Sequence, residues 1–174
     1  MRVLVVNSFS DRSELALWRG LVKAGVEVDL LCDPSAPERD LLQESGVNVS
    51  TLTIRHRLHL AAAKIIRRQL TDRHYDIIHA TRNRDLSVSL LAARGMTIGR
   101  IAYRGTFGHL SHLDPASWLT YLNPELDRII CNCEAVRQYM LSLGLPEDKL
   151  VQIYKGFDPA WYAPESRTAL AEFG

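Results

Sequence analysis

Short apolar runs rich in β-branched residues alternate with helix-period segments along the chain, and this alternation constrains the fold most strongly. The runs lie at Arg2–Val6, 26–31, 76–80 and Arg128–Cys131, among others. Each is followed by a segment whose apolar residues recur every three or four positions, as on one face of a helix. Strands that alternate with helices form a parallel sheet covered on both faces. The sequence therefore predicts an α/β, Rossmann-like three-layer domain with a mostly parallel sheet.

The same pattern predicts the remaining elements. Helices are expected over residues 14–24, 37–45, 58–71, 85–94, 115–122 and 134–143, and further strands over 47–52, 100–103 and 150–154. Ser13 is the expected N-cap of the first helix. The buried side of this first helix is predicted to consist of Leu15, Leu17, Trp18, Leu21 and Val22. On the third helix, one apolar stripe is expected to pack on the sheet, formed by Leu58, Ala62, Ile65, Ile66 and Leu70.

Composition limits the kinds of binding partner and the cellular compartment that we expect for this protein. Among 174 residues, 21 basic residues are balanced by 20 acidic ones, so no bulk charge favours nucleic acid. The three cysteines are an odd number without disulfide spacing, which favours a reducing compartment. No apolar run is long enough for a signal peptide or a membrane span. We therefore expect a cytoplasmic protein.

Ligands of parallel sheets bind beyond the carboxyl ends of the strands, so the loops there hold the candidate site residues. The first such loop, residues 7–13, contains no glycine and so lacks both the dinucleotide fingerprint and the phosphate-binding P-loop. It opens a helix whose N-terminus favours an anion, which makes Ser10, Asp11 and Arg12 candidates. Simple capping of the helix is the open alternative. Arg82 and Arg84, after the fourth strand, are further candidates.

The loop at 104–114 is the richest in chemical groups. Its length, two glycines and two histidines favour ligand binding by Arg104 and His109. In that case replacement of Arg104 by alanine would cost activity more than stability. A solvated loop tip is the alternative. A metal site on His109, His112 and Asp114 is disfavoured by their spacing, so no metal is expected.

Two other segments have both a functional and a structural interpretation. Cys133 lies where a helix begins, so its thiol is either reactive or, as we favour, a small capping residue. The third helix and its flanks carry six basic residues against the single carboxylate of Asp72. This surface either contacts anionic lipid at the inner face of a membrane or is simply solvated. The residues that would touch the membrane are Arg57, Lys64, Arg67 and Arg68.

Three segments resemble the N-terminal half of family 4 glycosyltransferases, which have the two-domain GT-B fold. Tyr-Arg-Gly-Thr at 103–106 is similar to the family's His-Gly-Thr strand end. Asp-Arg-Ile-Ile-Cys-Asn-Cys-Glu-Ala-Val-Arg at 127–137 is similar to its D-x-I-I-x-x-S-E-A-V-R unit. Val-Gln-Ile-Tyr-Lys-Gly-Phe-Asp at 151–158 resembles its V-x-I-Y-N-G-I-D crossover, with Trp-Tyr-Ala-Pro following at 161–164. The departures are Arg104 for histidine, Lys155 for asparagine and Cys133 for serine.

The resemblance implies a retaining, metal-independent transfer from a nucleotide sugar, which is a substrate rather than a cofactor. In the family the donor is held mostly by the C-terminal domain, and the N-terminal half shapes the site for a sugar or glycolipid acceptor. Residues 1–158 would then be the acceptor-side domain, inactive alone, and 159–174 the start of a linker to an absent C-terminal domain. Lys155, Gly156 and Asp158 would form the hinge. The acceptor cleft would hold Ser10, Asp11, Arg12, Arg82, Arg84, Arg104, Gly105, Thr106 and His109.

One alternative of another class stays open. The chain would then be a non-catalytic Rossmann-like module that binds a phosphorylated sugar or an anionic membrane surface. No nucleic acid partner is expected in either case, because the basic segment lacks interleaved aromatic residues.

Overall fold

The computed structural model describes residues 1–161, and its centre is a seven-stranded sheet. The strands are β1 (Arg2–Val6), β2 (Glu27–Cys32), β3 (Asn48–Thr51), β4 (Ile77–Ala80), β5 (Gly99–Arg104), β6 (Arg128–Cys131) and β7 (Leu150–Gln152). Their spatial order is β3-β2-β1-β4-β5-β6-β7, and every pairing is parallel. The predicted α/β Rossmann-like class is confirmed, and the sheet is wholly parallel.

The helices are α1 (Arg12–Lys23), α2 (Arg39–Glu44), α3 (Leu60–Arg73), α4 (Asn83–Ala93), α5 (Pro115–Trp118) and α6 (Glu134–Ser142). Short 3-10 turns follow at Glu147–Lys149 and Pro159–Trp161. Most predicted bounds agree with these to within two residues. The exception is α5, which ends at Trp118 rather than at 122 because the chain turns there and Leu122 hydrogen-bonds back to Ser117.

Two apolar layers cover the sheet, one on each face. On one face, Trp18 of α1 and Leu42 of α2 pack against β1 and β2. On the other face, α3, α4 and α6 pack against the central strands through residues such as Ile66, Val88 and Met140. Strand order reverses between β1 and β4, so a crevice opens at the carboxyl edge between them.

Three residues of the predicted stripes do not join these cores. Leu17 of α1 is half exposed because it faces a pocket rather than the sheet. Leu58 precedes α3 and is also half exposed. Ile65 is 52% exposed because Ala62, Ala63 and Ile66 form the buried side of that helix. The predicted helical periodicity was right, but the face that packs on the sheet is shifted by about one residue position from the predicted face.

The predicted N-cap of α1 was wrong by two residues. Asp11, not Ser13, caps the helix, since its carboxylate accepts hydrogen bonds from the backbone amides of Ser13 and Glu14, each at 3.0 Å. The Glu14 carboxylate in turn accepts a hydrogen bond from the Asp11 amide at 2.9 Å, which completes a capping box.

The linker predicted at 159–174 lies outside the described residues from position 162 onward. Within residues 1–161, no helix has both the length and the apolar character needed to cross a bilayer.

Candidate functional site

The loops that follow β1, β4, β5 and β7 meet at the carboxyl edge of the sheet. Beside them lies a pocket of about 420 Å³, between α1, the sheet and the segment after β7. We call residues 153–161 the strap, because this segment crosses from β7 to the N-terminus of α1. The pocket adjoins the loops that gather at this edge, so the candidate site is described around it.

A buried carboxylate holds the loop after β1 in place through hydrogen bonds. Asp85, in the first turn of α4, is 1% exposed and accepts bonds from the Ser8 amide and the Ser8 hydroxyl, both at 2.8 Å. Burial raises the Asp85 pKa, although the two bonds from Ser8 oppose this shift. Glu38 accepts a bond from the Ser10 amide. This part of the candidate site is therefore preorganised.

We expect Asp85→Ala to destabilise the fold by about 2 kcal/mol, because it leaves the buried Ser8 groups without an acceptor. Asp85→Asn is the matched control. Its amide can accept from the Ser8 amide and donate to the Ser8 hydroxyl, while the buried charge is removed. The asparagine variant should match or exceed the wild type at pH 7. Urea unfolding at that pH measures both, and equal losses in the two variants would contradict the assigned bonds.

The N-terminus of α1, predicted to favour an anion, already holds one. The Asp11 carboxylate occupies the free amides, and the ammonium of Lys155 on the strap bonds to that carboxylate. Burial raises the Asp11 pKa, but hydrogen bonds from Lys155, Ser13 and the Glu14 backbone outweigh it and hold the pKa at about 2. Arg12 donates to the Trp161 carbonyl at 3.0 Å. Asp11 and Arg12 thus fasten the strap.

The strap should loosen when this ion pair is removed. Lys155→Ala is expected to speed amide exchange within residues 153–161 while changing global stability by less than about 1 kcal/mol, since the pair is half exposed. Asp11→Ala should loosen the strap equally and cost roughly 1 kcal/mol more, because it also removes the helix cap. Hydrogen exchange followed by mass spectrometry, with urea unfolding, separates the two effects. Unchanged exchange in both variants would contradict the fastening.

Arg104, the leading candidate from the sequence, is buried rather than open to the cleft. Its side chain turns back to the following loop, where Nε donates to the Thr106 carbonyl at 2.8 Å and Nη2 donates to the Gly108 carbonyl. The guanidinium lies 4.7 Å from the centre of the Tyr121 ring. With 4% exposure, this residue positions the loop. Direct contact with a ligand stays a prediction.

The loop that Arg104 supports presents its other candidates outward. Thr106 and His109 are exposed, and His109 has a φ of +63°, which is uncommon for a side chain larger than glycine. A Cβ placed on Gly105 would lie 3.0 Å from the Tyr103 ring, so this position is best suited to glycine. The binding roles of these residues also stay predictions.

The structure separates the three side chains weighed as a metal site. His112 Nε2 pairs with the Leu143 carbonyl at 2.8 Å, and Asp114 caps α5 by accepting from the Ala116 amide at 3.0 Å. His109 is exposed elsewhere on the loop. Among residues 1–161, no group of three histidine, cysteine or acidic side chains is arranged to hold a metal ion.

The remaining candidates divide between structural contacts and the strap. Arg82 donates to the Phe9 carbonyl at 2.7 Å, and Arg84 donates to the Arg55 carbonyl at 3.3 Å. The Ser10 hydroxyl accepts from the Trp18 indole at 3.3 Å. Asp158 accepts from the Ala160 amide at 3.0 Å within the strap. The hinge role of Lys155, Gly156 and Asp158 stays a prediction.

Sequence reasoning did not single out His79 or Thr81, although both line the pocket. His79 of β4 packs edge-on against Trp18, with ring centres 5.6 Å apart. Burial lowers the His79 pKa to about 4, against a hydrogen bond with the Ile101 backbone. Thr81 and Tyr103 also line the pocket, and the buried Thr81 hydroxyl has no hydrogen-bond partner among residues 1–161. A histidine within a buried apolar strand was the one signal available.

Solved structures of glycosyltransferases share this architecture. The chain is similar to a glycosyltransferase from Rickettsia africae, with a TM-score of 0.70 and 17% identity over 94% of its length. For Anabaena HepE in complex with UDP-glucose, the TM-score is 0.67 and the identity is 19% over 95% of the chain. For Acinetobacter baumannii MurG, the TM-score is 0.63 and the identity is 14% over 90% of the chain. The chain spans 46–47% of the length of these proteins.

The fold is therefore that of one Rossmann-like half of a GT-B glycosyltransferase, consistent with the N-terminal domain. The model of Glycosyltransferase Family 4 matches residues 12–161, and the chain belongs to this family. A search of curated proteins finds no match.

Proposed function

We propose that this chain is the acceptor-binding half of a retaining glycosyltransferase that uses a nucleotide sugar. The family 4 match over residues 12–161 carries the proposal. Its support is the gathering of four loops at one sheet edge, beside a concave pocket. Transfer from a nucleotide sugar requires charge stabilisation of the departing diphosphate in a site closed to water.

Three cations at this edge already make hydrogen bonds within the chain. Arg104, Arg82 and Lys155 are each engaged with carbonyls or a carboxylate of the chain itself. The donor diphosphate would thus be bound by a second domain, as the family resemblance implies, and the chain alone would be inactive.

The test is a transfer assay with radiolabelled UDP-glucose or GDP-mannose and a set of sugar and glycolipid acceptors. The chain alone should form no labelled product, whereas the chain continued into a C-terminal domain should form it with the donor's anomeric configuration retained, as read by NMR. Turnover by the chain alone at roughly 1 s⁻¹ or faster, an ordinary enzyme rate, would overturn the proposal. An inverted anomer would overturn the retaining mechanism.

A second candidate function, contact with an anionic membrane, is favoured by exposed aliphatic side chains among the basic residues of α3. Leu60 is 67% exposed and Ile65 is 52% exposed, on either side of the exposed Lys64. Because α3 begins after β3, its N-terminal end lies near the carboxyl edge that holds the site. Basic residues beside exposed aliphatic ones suit the headgroup region of a bilayer.

Two of the four residues predicted to touch a membrane already make hydrogen bonds or an ion pair within the protein. Arg67 donates to the Ala92 and Arg94 carbonyls at 2.9 and 2.8 Å, at the end of α4, and Arg68 pairs with Asp72 at 3.4 Å. Arg57 and Lys64 have no such partner for their side chains among residues 1–161. The surface that we propose is therefore centred on Leu60, Lys64 and Ile65.

Co-sedimentation with phosphatidylcholine vesicles containing about a third phosphatidylglycerol tests this contact, since each basic residue near such a surface contributes about 1 kcal/mol. Leu60→Ser with Lys64→Ala should reduce binding about tenfold or more. Arg19→Ala with Lys23→Ala, on exposed positions of α1, is the control. Equal binding by both double variants would indicate a solvated face instead.

A further inference from the structure

Two contacts tie the strap to the start of α1. Lys155 pairs with the Asp11 carboxylate, and Arg12 donates a hydrogen bond to the Trp161 carbonyl at 3.0 Å. The partners in these two contacts lie 144 and 149 positions apart in the chain. A movement of the strap therefore changes the surroundings of the Asp11 carboxylate directly.

The Glu14 carboxylate connects this fastening to the loop after β1. One of its oxygens, Oε2, accepts hydrogen bonds from the Asp11 amide at 2.9 Å and from the Asn7 side-chain amide at 3.2 Å. Asn7 is fully buried, and its side-chain carbonyl accepts from Arg82 Nε at 3.3 Å. A continuous path of polar contacts thus runs from the strap, through the first turn of α1, to the loop after β1 and the start of α4.

The charges along this path give the fastened strap an effect on Glu14. Burial lowers the Lys155 pKa, but the hydrogen bond to Asp11 and the negative charges of Asp11 and Glu14 outweigh it and raise the pKa. The ammonium is therefore stabilised by both carboxylates. Without it, the two carboxylates of one capping box would repel each other. A movement of Glu14 away from Asp11 relieves that repulsion and weakens the bond from Asn7.

We propose that the strap is coupled through Glu14 to residues 7–10 of the loop after β1. With the strap fastened, Glu14 bridges the Asp11 amide and the Asn7 side chain and so holds the loop. With the strap released, the bridge weakens and the loop gains mobility. Such coupling is reciprocal, so a ligand that orders the loop would also favour the fastened strap. The loop belongs to the candidate site, and the position of the strap would therefore set how rigid that site is.

Amide hydrogen exchange followed by mass spectrometry tests the coupling on the chain itself. Lys155→Ala should speed exchange about threefold or more in residues 7–10 as well as in the strap, a change that the loss of one half-exposed ion pair can supply. Lys23→Ala is the matched control, because it removes an exposed lysine at the other end of α1, and it should change neither segment. The NMR signals of the Asn7 side-chain amide should shift in the first variant and not in the second.

A double-variant cycle shows whether Glu14 carries the coupling. Glu14→Ala should by itself speed exchange in residues 7–10, and the addition of Lys155→Ala should then make the loop no faster. Urea unfolding checks that each variant remains folded. Loop exchange that stays at the wild-type rate in Lys155→Ala, or that rises further in the double variant, would overturn the coupling. Because the readout is exchange within the chain alone, the coupling can fail while the proposed transferase role stands, and the reverse.

Discussion

Replacing Arg104 with alanine is expected to lower the free energy of unfolding by about 3 kcal/mol, because two carbonyl acceptors lose their charged donor and an aromatic ring loses its cation. The acceptors are the carbonyls of Thr106 and Gly108, and the ring is that of Tyr121. For a chain of this size, that loss corresponds to a fall in Tm of roughly 6–12 °C. The sequence alone predicted that activity would be lost more than stability, and these contacts add a large expected loss of stability.

Two controls separate this effect from the loss of a surface charge. Arg104→Lys keeps the charge but lacks the planar, forked guanidinium that bonds both carbonyls and lies over Tyr121, so it should fall between wild type and alanine. Arg84→Ala removes an exposed arginine with one long bond, at 3.3 Å, and should cost less than 1 kcal/mol, as is usual on the surface. Thermal unfolding measures all three. A Tm for Arg104→Ala within about 2 °C of wild type would contradict the positioning role.

The second large effect concerns pH. Burial beside Trp18 lowers the His79 pKa from its usual 6.5 to about 4. Between these values the unfolded chain binds a proton that the folded chain does not, so stability falls as the pH drops from 6.5 to about 4. A shift of this size corresponds to at most about 3 kcal/mol. Above pH 6.5, His79 contributes no pH dependence.

His79→Leu should remove this part of the acid sensitivity. The difference in unfolding free energy between wild type and variant is expected to be constant from pH 7 to 8 and to shift in favour of the variant below pH 6. Urea unfolding across this range measures it, and the series at pH 8 controls for altered packing. An NMR titration that shows His79 gaining a proton near pH 6.5 would contradict the burial assigned to it.

Local pattern predicted the elements well because strand and helix periods are written into adjacent residues. The run at Arg2–Val6 was located to the residue, as was Arg128–Cys131. The residue that caps a helix was harder to predict. Ser13 and Asp11 both suit an N-cap, and only the backbone path shows that Asp11 occupies that position.

The sequence predicted candidate loops at the carboxyl edge of the sheet, and the binding roles of their side chains stay predictions. The four loops do meet at the carboxyl edge, since every strand of a parallel sheet ends there. Which side chains face that space depends on contacts between distant parts of the chain. Arg82 donates a hydrogen bond to the Phe9 carbonyl, and Lys155 pairs with Asp11, which lies 144 residues earlier in the chain. Neither contact has a signature in the residues beside it.

The sequence by itself determined the α/β class, the strands and helices, and the resemblance to family 4, because each depends on short-range periodicity and on motifs of neighbouring residues. Only the tertiary structure decided that Arg104 is buried under its own loop and that His79 and Thr81 line a pocket. Burial arises when separate segments pack together and exclude water. It therefore cannot be assigned from the position of a residue along the chain alone.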